Sequence, residues 1–173
     1  MLPADKKKKE NIAEYILYMY QAEDLIRAYH FDLNEITKYV VVNMPLSPSI
    51  KKKIILWYAE LILQMQDEHL NKGGHLKQIQ AEVKHLEHTH NELLKTDYVY
   101  KTIYGQAEES INEHILFSEN SISSPIQICL NSLYGMLLLK LNGKKIQSSQ
   151  QKTVEQQSEI LSYLSKVYKK NLD

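Results

Sequence analysis

This sequence is short of helix breakers and of cysteine, with five glycines, four prolines and the single Cys129 among its 173 residues. One cysteine excludes an internal disulfide and any Cys-rich zinc site, and it fits a reducing compartment. Few breakers mean long uninterrupted helices. Net charge is lacking too, since 21 basic residues balance 21 acidic ones. A neutral total supplies no electrostatic pull toward nucleic acid or anionic lipid, so neither is expected as a partner. The local exception is the run Lys6 to Lys9, read as part of a flexible or frayed basic N-terminus over residues 1–9. The longest apolar stretch, Leu133 to Leu139, falls far short of the roughly 20 residues that span a bilayer. Ile12 to Tyr20 is interrupted by Glu14 and followed by no small-residue cleavage site, so no signal peptide is read and the cytoplasm is expected. Phenylalanine is scarce as well, two against twelve tyrosines. Aromatic packing therefore brings hydroxyls that need partners when buried.

What is present is helix punctuation. Asn11 to Tyr29 contains no Gly or Pro and reads as a first helix. Asp32, three residues before Glu35, opens a short second one that ends near Asn43. Ser47-Pro48 has the cap-plus-proline form of a helix start, and the third helix is expected to run to about Asn71 and stop at Gly73-Gly74. A fourth covers His75 to Lys95, and a fifth, capped by Thr96 or Asp97, runs to about Ser118. Ser124-Pro125 starts a sixth that ends at Gly143, and a last helix spans about Ser149 to Lys170. No strand-like alternation and no internal repeat is found. The expected fold is all-α, a single-domain bundle over residues 1–173 of six to seven mostly antiparallel helices.

Helical-wheel positions at about 100° per residue sort the faces. The last helix is amphipathic, with Val154, Leu161, Leu164, Val167 and Tyr168 on one side. The first, third and sixth are apolar nearly all round. On the third, Leu56, Trp57 and Leu63 extend beyond the main stripe of Ile54, Tyr58, Leu61 and Met65. Three such helices in a chain of this size imply apolar surface covered by a second copy, and a symmetric homodimer is the commonest solution.

Three stretches resemble an uncharacterised all-helical family of Bacteroidetes proteins, a domain of unknown function. They are KENIAEYILYMYQAEDLIRA from Lys9 to Ala28, Lys72-Gly73-Gly74-His75-Leu76, and Leu133-Tyr134-Gly135-Met136-Leu137. The family pattern has one glycine before the histidine where this chain has two. The resemblance covers most of the chain and implies an α-bundle, with no activity attached.

Catalytic signatures are missing: no GxGxxG, Walker loop, HExxH or GxSxG occurs. Seven histidines invite a metal reading, because neutral imidazole is the commonest metal ligand. His85 and His88 fall off the apolar stripe of Ile79, Val83, Leu86 and Leu93, whereas His90 lies on it. In antiparallel hairpins at about 1.5 Å per residue, His69, His75 and His114 reach one end of the bundle, making them the candidate metal trio with Glu68 or Glu113 nearby. A ferritin-like centre needs two Glu-x-x-His motifs, and Glu82 to His85 supplies one. The other candidate is a ligand-orienting group of Glu23, Asp24 and Arg27 with Tyr134. Glu23 falls on the apolar side of the first helix, four residues from Arg27 and able to pair with it. The competing account of these residues is a structural ion pair fixing helix register. Tyr134 and Gly135 read as packing features, and Cys129 as an inert core thiol.

The leading expectation is a non-enzymatic bundle acting through protein–protein contact, as a homodimer or with another protein partner, and needing no cofactor. The alternatives are a small-molecule-binding bundle built on Glu23, Arg27 and tyrosines, and an enzyme using a divalent metal on His69, His75 and His114.

Overall fold

The structure, a computed structural model, describes residues 2–119 and 121–171. Within them lie eight α-helices and no strand: α1 (Pro3–Glu10), α2 (Ile12–Ala28), α3 (Leu33–Tyr39), α4 (Pro48–Asp67), α5 (Lys77–Thr96), α6 (Tyr98–Phe117), α7 (Pro125–Leu141) and α8 (Ser148–Lys170). A 3-10 turn at Val41–Asn43 follows α3. The fold is all-α, as the periodicity implies. None of these helices is long and apolar enough to cross a membrane.

The lysine run is not frayed. Pro3–Glu10 forms a helix of its own, Ala4 is buried, and Lys7 Nζ reaches Glu14 Oε2 at 3.0 Å. Helix starts follow the sequence signals closely. Asp32 accepts from the N–H groups of Asn34 and Glu35, and Ser124 from that of Gln127. Ser47 is the N-cap of α4, but its hydroxyl meets Ser49 instead of capping. Asp97 caps α6 by accepting the Tyr100 N–H at 3.0 Å, and its second oxygen accepts the Tyr163 hydroxyl of α8 at 2.6 Å. Those two bonds, the tyrosine's first, hold its carboxyl below the usual carboxylate range.

Helix ends depart from the sequence reading. The third helix was expected to stop at Gly73-Gly74, yet α4 ends at Asp67. The stop is made by His69, at φ +58°, with its N–H on the Gln66 carbonyl and the Leu70 N–H on the Met65 carbonyl. That is a Schellman closure with histidine where glycine is usual. His69 is thus exposed beyond the helix, not on its apolar side. His30 closes α2 in the same way, at φ +51°. A left-handed backbone costs a non-glycine residue roughly 1–2 kcal/mol. His69→Gly is therefore expected to stabilise the protein by about 1 kcal/mol and raise the thermal midpoint by a few degrees. A lower midpoint in a calorimetric scan shows instead that the imidazole itself contributes.

Contacts divide the chain into two compact units, Met1–Lys9 with Glu14–Ala81, and Glu10–Ala13 with Glu82–Asp173. In the first, Ile16, Met19, Tyr20 and Ile26 of α2, Ile36 of α3, and Ile54, Tyr58, Leu61 and Met65 of α4 are buried. The apolar breadth of α2 is thereby used internally. In the second, α6, α7 and α8 pack on one another around Ala107, Ile111, Cys129, Leu130, Ile160 and Leu164. Burial pushes the Cys129 thiol up to about 12, so it is unreactive at neutral pH. His85 and His88 are exposed, and His90 is buried, as the wheel indicates.

His90 shows how this core accommodates polar groups. Its Nδ1 lies 2.7 Å from the Tyr100 hydroxyl, and its ring packs against Tyr100 and Tyr104. Burial lowers its pKa, the Glu87 carboxylate opposing. The unfolded chain therefore binds a proton here that the native state resists, and stability falls as pH drops below the ordinary histidine value of about 6.5. Replacing His90 with glutamine is expected to flatten that part of a urea-denaturation series against pH. An unchanged slope assigns the acid sensitivity elsewhere.

Candidate functional site

The inward face of α2 carries one carboxylate. Glu23 is fully buried, its Oε2 is 2.5 Å from His75 Nδ1, and its Oε1 accepts the Leu76 N–H at 3.0 Å. The His75 ring stacks on Tyr20, one turn earlier on α2, with centroids 3.5 Å apart and planes at 17°. One turn later, Arg27 Nη1 donates to the carbonyls of Leu70 (3.2 Å) and Gly74 (3.1 Å), and Nη2 donates to Asp24 at 2.9 Å. Three side chains of α2, Tyr20, Glu23 and Arg27, thus hold residues 70–76, the segment joining α4 to α5, and Asp24 holds Arg27. Gly74 is required there: its φ is +85°, and a Cβ would lie 3.2 Å from the Leu70 side chain.

This corrects one expectation. Glu23 does not pair with Arg27; His75 and a backbone N–H take its oxygens, while Arg27 donates to two backbone carbonyls and to Asp24. Tyr20 contributes its ring face to the site. A buried carboxylate beside Nδ1 orients the imidazole, the relation seen behind catalytic and metal-bound histidines. Here the same relation fixes a loop. Tyr134, grouped with these residues on sequence, is half-buried on α7 in the second unit.

Among the described residues no group of three or more His, Cys, Asp and Glu side chains, the histidine trio included, is placed to hold a metal ion. His69 is occupied in closing α4, and His75 faces Glu23. His114 belongs to the second unit and lines a cleft of about 350 Å³ formed by α6, α7 and α8.

That cleft was not legible as a site. His114 lines it from α6, and its Nδ1 is buried with no hydrogen-bond partner among the described residues. Leaving such an atom unsatisfied costs about 1–3 kcal/mol. On α7 the floor is Gly135, where an added Cβ would meet nothing within 4 Å. Glycine at this position therefore does not serve close helix approach, contrary to the sequence reading. Met136, Leu139 and Val154 supply the apolar wall, and Asn131, Ser132 and Thr153 supply neutral polar groups. The signal that could have found the cleft is a glycine inside a helix with a histidine on a neighbouring apolar face, and both were read as packing.

A family model described as Domain of unknown function (DUF4924) matches residues 1–173. No curated protein and no solved structure matches the chain.

Proposed function

We propose, on the premise that this chain belongs to the domain-of-unknown-function family DUF4924, that it acts by protein contact without catalysis, as a homodimer joined through α4. The observation that carries this is the stripe of Leu56 and Leu63, each 65% exposed and seven residues apart on one helix face. Ala59 lies between them, half-buried, and exposed Lys52 and Asp67 stand beyond its two ends. The stripe complements itself when two copies run antiparallel. A two-fold axis between Ala59 and Glu60 sets Leu56 against Leu63 of the second copy and Lys52 against Asp67 of the second copy. Such an isologous contact closes, and its end charges have opposite sign. Beside the stripe, Leu2, Asp5, Lys53, Leu56, Trp57 and Glu60 line a groove of about 300 Å³, in which Leu2, Leu56 and Trp57 supply the apolar contacts for the incoming leucine.

Burying the exposed part of each leucine is worth about 1–2 kcal/mol, so the four together supply roughly 4–8. Association costs at least about 4 kcal/mol of this, so the leucines alone support a weak, concentration-dependent dimer, of about millimolar affinity at best. The polar cluster of α2 supports the non-catalytic part of the reading, because Glu23, Asp24 and Arg27 are spent on the chain's own loop. This reading requires no cofactor, and a reducing compartment such as the cytoplasm suits the unpaired Cys129.

Sedimentation velocity over a concentration series tests it. Dimer is expected to accumulate as the concentration approaches about one millimolar, with Leu63→Glu monomeric and equally helical. Lys52→Asp is expected to weaken the dimer, and adding Asp67→Lys to restore it. A wild-type chain that shows no dimer at about one millimolar, or a dimer indifferent to Leu63→Glu, overturns the reading.

A further inference from the structure

We infer that the cleft between α6, α7 and α8 binds a small uncharged amphiphile, its hydroxyl head on His114 and its apolar body along Gly135 and Leu139. The inference is independent of α4 and of dimerisation.

Three observations converge on it. Gly135 sits inside a helix, where alanine would be more stable, and no packing contact excludes a side chain there. What the missing side chain provides is the open floor of the cleft. The second observation is polar. His114 lines the cleft; its Nδ1, like Gln157 Oε1, is closed to solvent and without a partner among the described residues, which leaves Nε2 as the ring nitrogen that a ligand can reach. The two residues belong to one seam of α6 and α8: Gln157 Nε2 reaches Ser110 Oγ at 3.4 Å, and Ser110 lies one turn before His114. Gln157 in turn lies one turn beyond Thr153, which lines the cleft. The third concerns charge. No Asp, Glu, Lys or Arg lines this cleft, in a chain where those residues make up 24%.

Chemistry then selects the ligand class. A charged group entering the cleft would lose its hydration without meeting a counter-charge. A hydroxyl both donates and accepts, so it meets either tautomer of His114, which a carbonyl or an ether cannot do. Met136, Leu139 and Val154 receive the apolar part. The cleft shares Gly135 and Leu139 with a groove lined also by Leu138, Asn142 and Lys144, whose leucines give a longer tail somewhere to lie and whose lysine stands outside the cleft proper. Clefts of this size, mostly apolar with a few converging polar groups, are the usual form of small-molecule sites.

The test is an NMR titration of the whole chain with three matched probes: benzyl alcohol, toluene and benzoate. Benzyl alcohol is expected to shift the amides of Ser132, Gly135 and Thr153 saturably, and to bind about tenfold more tightly than either of the others. His114→Leu should erase the preference for the alcohol over toluene while retaining binding of the ring. Gly135→Leu should abolish binding of all three probes while circular dichroism and the thermal midpoint are maintained. The ranking of probes on the unaltered chain decides the matter even if Gly135→Leu fails to fold. Absence of a saturable shift at the cleft, benzoate binding as tightly as the alcohol, or a folded Gly135→Leu that still binds overturns the inference.

Discussion

Glu23→Ala is expected to destabilise the protein by about 2–5 kcal/mol, the loss that follows when one buried carboxylate leaves two hydrogen-bond partners stranded. The size follows from what is stranded. Glu23 is fully buried, and its two oxygens serve a histidine and the Leu76 N–H that leads into α5. Removing the carboxylate leaves that N–H unsatisfied and His75 without the group that orients it. The thermal midpoint should drop by on the order of 10 °C for a chain of this length. His75→Ala should cost less, because that side chain is 24% exposed and water can replace part of what is lost. In the double variant the two losses should not add, since both report on one contact. Chemical denaturation of the four proteins checks this, and a Glu23→Ala protein as stable as wild type removes the loop-holding role.

Arg27→Lys is expected to cost about 2 kcal/mol, although the charge is conserved. The guanidinium reaches two carbonyls and one carboxylate from a single planar group. An ammonium on a flexible stem cannot span that set, and at 14% side-chain exposure little water is at hand to compensate. The effect should be local as well as global. Amide hydrogen exchange over residues 70–76 should accelerate in Arg27→Lys while the amides of α7 and α8 are comparatively unaffected. Uniform acceleration along the chain shows that Arg27 acts on overall stability without fastening this segment.

Both substitutions touch residues that the sequence marks out, and the manner in which it does so is instructive. Periodicity places Glu23 on an apolar face, and the structure buries it there. Periodicity is a one-helix property, however, and the partners of Glu23 and Arg27 lie 43 to 53 residues away in the α4–α5 connection. Helix starts were legible because Asp32, Asp97 and Ser124 act within three residues of themselves. Helix ends were less so: a glycine pair announces a stop, yet His69 reaches the left-handed conformation first, and His30 does the same without any sequence cue. The exposed Leu56 and Leu63 were visible as apolar residues outside the main stripe of their helix. The cleft was not visible, because an empty space has no residue to announce it. Gly135 signals either close approach or open room, and local sequence cannot distinguish them.

Asp97 links two moments in the life of the chain. Its bond to the Tyr100 N–H can form once residues 97–100 have been synthesised, whereas its bond to Tyr163 spans 66 positions and must await the final helix. The beginning of α6 is thus closed early and fastened late. Truncation within α8 would accordingly be felt at a helix start on the far side of two turns of chain, where no deleted residue resides.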